Sequence, residues 1–254
     1  MTLQELKEKV EKRISEYIGF DVDEIFKVGD YITIYGGAVR DSIAEMEIHD
    51  VDILCMSDSA NKLAQFIQER GYSKVDLYGK DEVNMYQGIK IISEPWTFIN
   101  NKKSIIQIIR PHYSFRKGVT AYVDSYENLI KNVDISSCGV FIEFNGKENV
   151  LKESCKNAIA YCLSKTFIIN DWAELYNKDR TSTRENKLLN RGWFNLNPTE
   201  YVNSIDLKKA ERRLKLSQIE FQPEVTDKYY KIWHEYEYDV RQSYKRDDYE
   251  DLPF

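Results

Sequence analysis

The chain has only three histidines in 254 residues, which leaves little material for an imidazole-based metal site. Its four cysteines, Cys55, Cys138, Cys155 and Cys162, are scattered among apolar neighbours with no CxxC spacing. Buried reduced thiols are therefore expected, rather than disulfides or a zinc cage. No apolar run approaches the roughly 18 residues that a membrane-crossing helix needs. The opening Met1-Thr2-Leu3-Gln4-Glu5-Leu6-Lys7 is charged and amphipathic, unlike a secretion signal. These absences predict a cytoplasmic protein with no membrane partner. An excess of positive charge is also missing: 36 basic against 42 acidic residues give a net charge of −6. That weighs against a general nucleic-acid-binding surface, which requires clustered Lys and Arg. Local basic stretches remain at Lys178–Arg191 and Lys208–Lys215, while acid collects in Asp247-Asp248-Tyr249-Glu250-Asp251.

No Pro/Gly/Ser-rich linker or internal repeat divides the chain. Leu3, Leu6, Val10, Ile14 and Ile18 recur at helical spacing and predict a helix over 2–18. Strands are expected at 31–35, 51–56, 88–93 and 104–110, with β-rich character again over 134–143. Helices are expected at 38–46, 61–70 and 124–131. From about residue 150 the pattern turns helical, around 158–163, 184–193, 207–216 and 228–244. The expectation is a mixed α/β head over 1–150 and a helical neck over 151–254, packed together, with an acidic tail.

The chemistry concentrates in one short stretch. Tyr35-Gly36-Gly37-Ala38-Val39-Arg40-Asp41 is followed by Asp50-Val51-Asp52-Ile53-Leu54. Side chains alternate along a strand, so Asp50 and Asp52 point to one side. Two like charges held together are costly unless a cation neutralises them. Magnesium suits such a pair, because it prefers oxygen ligands and keeps several waters. Gly36 and Gly37 let the backbone approach a phosphate closely, and Arg40 can offer it a charged fork. Arg40 could instead pair with Asp41 or another acid. Alternation turns His49 away from the carboxylates, towards a structural role.

Gly36-Gly37-Ala38-Val39-Arg40-Asp41, then eight residues, then Asp50-Val51-Asp52-Ile53 resembles the signature of the class II nucleotidyltransferases. These are the poly(A) polymerases and CCA-adding tRNA enzymes of the polymerase-β-like superfamily. The resemblance implies an α+β fold: a small mixed sheet flanked by helices, followed by a helical neck. It implies Asp50 and Asp52 as catalytic Mg²⁺ ligands, and Gly36, Gly37 and Arg40 beside the triphosphate of ATP or CTP. Two such ions about 4 Å apart can activate the attacking hydroxyl and neutralise the leaving pyrophosphate.

Beyond the signature the match thins. Asn132-Val133-Asp134-Ile135-Ser136 stands where members carry Arg-Arg-Asp, leaving Asp134 as a candidate nucleotide contact or a structural hydrogen-bonding residue. Arg180, Arg184 and Lys187, ahead of Arg191-Gly192-Trp193, resemble the element that faces the incoming base; a solvated helix face is the alternative. The strand expected to bring a third carboxylate offers Gln107 instead, with Glu94 as another source. Members that measure tRNA continue into further helical regions, so this length predicts an acceptor other than a tRNA awaiting CCA repair. The expected reaction is transfer of a nucleoside monophosphate to an RNA 3′ hydroxyl. Nucleotidylation of a protein or small molecule, or a non-catalytic relative that binds nucleotide or RNA, are the alternatives.

Overall fold

The computed structural model describes residues 1–55, 57–75, 85–86, 89–90, 96–110, 133–170 and 178–197. Helix α1 (Leu3–Ile18) opens with a reciprocal capping box between Thr2 and Glu5 and closes on Gly19 in the left-handed region. Its buried stripe includes Leu6, Val10, Ile14 and Ile18, matching the periodicity of the sequence. A short α2 (Val22–Phe26) leads to strand β1 (Ile32–Tyr35), helix α3 (Gly37–Ile43), β2 (Val51–Cys55) and α4 (Ser57–Glu69). Strands β3 (Ser73–Val75), β4 (Met85–Tyr86), β5 (Ile89–Lys90), β6 (Trp96–Ile99) and β7 (Ile105–Ile109) follow. A 3₁₀ turn at Ser136–Cys138 precedes β8 (Val140–Phe144) and β9 (Asn149–Glu153). The described part ends with α5 (Ala158–Ser164), β10 (Thr166–Phe167), α6 (Lys178–Asn190) and β11 (Phe194–Asn195).

Seven strands form one mixed sheet in the order β3-β6-β7-β2-β1-β8-β9. Every neighbouring pair is antiparallel except β2 and β7, which run parallel. This is the α+β architecture expected from the sequence. One face carries Ile32, Ile34, Val51, Ile53, Ile106 and Ile108 into a continuous apolar core shared with α1, α3 and α4. The opposite face is the one that carries Asp52.

The division expected at residue 150 falls inside β9, so the sheet runs past it. Helix α5 packs on α3 and on the 3₁₀ turn. Met1–Pro223 forms one compact unit; a second, Glu224–Phe254, lies outside the described residues. The helices expected at 124–131, 207–216 and 228–244 also lie outside them, as does most of the strand expected at 88–93.

Candidate functional site

The site is built where β1 turns into α3. Gly36 adopts φ 71° and ψ −127°, a conformation that side chains with a Cβ resist, and its N–H is held by the Val140 carbonyl at 3.1 Å. A Cβ on Gly37 would lie 3.7 Å from Arg40 Nη2 and 3.8 Å from Asp50 Oδ1. The bare backbone at Gly37 thus separates a guanidinium from a carboxylate, and any added methyl group would fill that space.

Strand register assembles the remainder. Tyr35 pairs with Asp52, Asp52 with Gln107, and Gln107 with Thr97, so four side chains form a row across one sheet face. Asp50 stands just before β2, with its Oδ1 on the Gly37 side. Both aspartates are half-buried, and one Asp52 oxygen is shielded from solvent. Gln107 Nε2 donates to Thr97 Oγ1 at 3.4 Å. Among the described residues no cluster of three or more His, Cys, Asp or Glu forms a metal cage. The donor set is therefore two carboxylates with a neutral amide beside them. Two hard, half-buried oxygen ligands fit a magnesium ion that keeps its remaining waters. Glu94 lies outside the described residues.

Arg40 is buried and occupied. Its Nε and Nη2 donate to Asp41 at 2.7 and 2.9 Å, Nη1 donates to Cys138 Sγ at 3.1 Å, and the guanidinium lies 5.5 Å from the Trp193 ring centre. Burial opposes its charge, but Cys138 and Asp41 outweigh that opposition and hold its pKa above the ordinary arginine value. Asp41 also accepts from Arg191 Nη1 at 2.9 Å, while Arg191 Nη2 donates to the Glu47 carbonyl at 2.7 Å. Trp193 Nε1 lies 2.9 Å from Met46 Sδ. The Arg191-Gly192-Trp193 segment thus closes over the Arg40–Asp41 pair.

The other sequence candidates are brought together only in part. Arg184 Nη1 donates to the buried Asp134 carboxylate at 2.6 Å, joining two of them in an ion pair. Lys187 is exposed on α6. Arg180 lies in the first turn of α6, and its side chain is outside the described set. Arg191 and Trp193, which end the segment resembling the base-facing element, contact the Arg40–Asp41 pair in the structure. Nothing in the local sequence marks Tyr17, whose hydroxyl bonds to the His49 carbonyl and the Ile105 N–H.

No protein-family model matches the chain, and no curated protein matches it either. Solved structures do. A CCA-adding enzyme in an apo form superposes with a TM-score of 0.51 at 16% identity, over 85% of this chain and 49% of that one. The Thermotoga maritima CCA-adding enzyme complexed with tRNA gives 0.52 at 16%, over 87% and 46%. A CCA-adding enzyme in complex with CTP gives 0.52 at 16%, over 87% and 46%. This chain has the CCA-adding-enzyme fold. It spans about half the length of the solved structures it matches.

Proposed function

We propose that this chain is a Mg²⁺-dependent nucleotidyltransferase. It would transfer a nucleoside monophosphate from ATP or CTP to an RNA 3′ hydroxyl and release pyrophosphate. The observation that carries this reading is the position of Asp52 opposite Tyr35, the residue before the Gly36-Gly37 turn, with Asp50 Oδ1 3.8 Å from where a Cβ on Gly37 would lie. The fold supports it: it is shared with CCA-adding enzymes that have been solved with CTP, ATP and tRNA.

In this reading Asp50 and Asp52 hold the metal, which supplies charge neutralisation at the phosphates and activates the acceptor hydroxyl. The residues of the chain do the positioning. Gly36 and Gly37 admit the phosphates to the backbone, and Arg40, fixed by Asp41, presents Nη2 on the Gly37 side. The Asp134–Arg184 pair, with Arg180 and Lys187 on the same helix as Arg184, faces the base or primer. The four cysteines are free thiols, in keeping with a cytoplasmic protein.

The test supplies Mg²⁺, each labelled NTP in turn, and a mixture of RNA, protein and small-molecule acceptors. Label should enter RNA, and Asp50→Ala or Asp52→Ala should lower transfer by more than roughly 100-fold. Label on protein alone would replace the RNA acceptor with a protein one. Nucleotide binding without transfer would reduce the chain to a binding protein.

A further inference from the structure

Residues 44–49 deliver Asp50 to the sheet, and three α1 side chains, each one helical turn from the next, hold that connection. Lys9 pairs with Glu45, Arg13 Nη2 donates to the Met46 carbonyl at 2.6 Å, and the Tyr17 hydroxyl donates to the His49 carbonyl. The same Tyr17 oxygen accepts the Ile105 N–H at 3.0 Å. Strands β2 and β7 are parallel, with Val51 opposite Ile106. Extended back by one residue, that ladder would join the Ile105 N–H directly to the His49 carbonyl. The Tyr17 hydroxyl occupies this bond. One hydroxyl thus serves both backbone groups immediately before Asp50. Asp50 Oδ1 lies 3.8 Å from where a Cβ on Gly37 would stand. Burial raises the phenol pKa; the Ile105 bond pulls it down, and the charges of Asp50 and Glu47 raise it again. At neutral pH the hydroxyl therefore keeps the proton it donates.

We propose that Tyr17 is a positioning residue. By standing in for the ladder bond between His49 and Ile105, its hydroxyl sets the Asp50 carboxylate relative to Asp52 and thereby tunes the affinity for a divalent cation. This inference rests on Asp50 and Asp52 being metal ligands. Losing the hydroxyl frees the His49 carbonyl and lets the backbone next to Asp50 shift, carrying the carboxylate with it, while the aromatic ring still fills its place.

Mn²⁺ is titrated into the full chain and followed by its electron paramagnetic resonance signal, for wild type, Tyr17→Phe and Tyr72→Phe. The Tyr72 hydroxyl donates to the Ile18 carbonyl at 2.9 Å, so its removal costs a comparable bond and leaves the His49–Ile105 bridge intact. Tyr17→Phe should weaken Mn²⁺ binding roughly 10- to 100-fold, the range for loss of a residue that orients a metal ligand. Tyr72→Phe should stay within about twofold of wild type, well below that range. The Mg²⁺ concentration for half-maximal transfer should rise in Tyr17→Phe, with KM for the NTP unchanged at saturating Mg²⁺. Unaltered Mn²⁺ affinity in Tyr17→Phe, or equal weakening in both variants, overturns the inference. A wild-type chain that binds no Mn²⁺ overturns the metal reading, and this inference with it.

Discussion

Asp41→Ala tests the buried network directly. Asp41 is 2% exposed and accepts N–H groups from two arginines, Arg40 and Arg191, one of which is itself only 8% exposed. Removing the carboxylate leaves buried positive charge without its counter-ion, which costs about 3–5 kcal/mol. In a domain of this size each kcal/mol moves Tm by about 2–4 °C, so a fall of about 6–20 °C is expected. Arg191→Ala leaves the Arg40–Asp41 pair in place and removes charge-assisted bonds worth about 1.5–3 kcal/mol. The double variant should lose less than the sum of the single losses, by at least about 1 kcal/mol, because the two residues share one interaction. Thermal and urea melts of the four proteins measure the cycle. A loss under about 1 kcal/mol in Asp41→Ala, or strict additivity, would refute the account of a coupled buried network.

Gly36→Ala forces a Cβ into φ 71°; it should cost about 1–3 kcal/mol by melting and weaken NTP binding, whereas an unchanged melt would show that the turn relaxes freely. Gln107→Glu places a third carboxylate opposite Asp52; it should lower Tm in chelator and enlarge the Tm gain on adding Mg²⁺, and an unaltered Mg²⁺ increment would remove Gln107 from the site's surroundings. Glu153 has its pKa raised above 4.5 by burial, with the N–H groups of Ile159, Asn157 and Ala158 pulling the other way. The folded state then binds more protons than the unfolded state just above that value, so stability falls as pH rises through this window. In Glu153→Gln that part of the stability–pH curve should flatten, and a curve of unchanged slope would contradict the burial argument.

The Asp50/Asp52 pair and the glycine turn could be singled out in the sequence because their determinants are local. Asp52 lies in β2 and Asp50 stands just before it, and the glycine pair immediately follows another strand. Alternation and backbone freedom are properties of short segments, and they needed no tertiary information. Gln107 could be singled out for the same reason: its strand read clearly, and the register then placed it opposite Asp52. What could not be read was long-range. Nothing in the local pattern says that Arg191 meets Asp41, or that Arg184 meets Asp134, since each contact depends on how α6 docks. Strand β9 was missed because Asn149-Val150-Leu151-Lys152-Glu153 alternates weakly, and its partner β8 supplies the pairing. Tyr17 was hidden by its setting on the edge of an ordinary amphipathic helix.

The Arg191–Asp41 bond joins residues 150 positions apart. During synthesis at 5–20 residues per second, Asp41 therefore precedes Arg191 by roughly 8–30 s. Through that interval the nascent chain carries the aspartate pair and its glycine turn while the lid over Arg40 does not yet exist. Any early compact form must hold the Arg40–Asp41 pair wet. Final drying of this corner is a late, post-collapse step, and the chain's own translation sets the earliest moment at which it can occur.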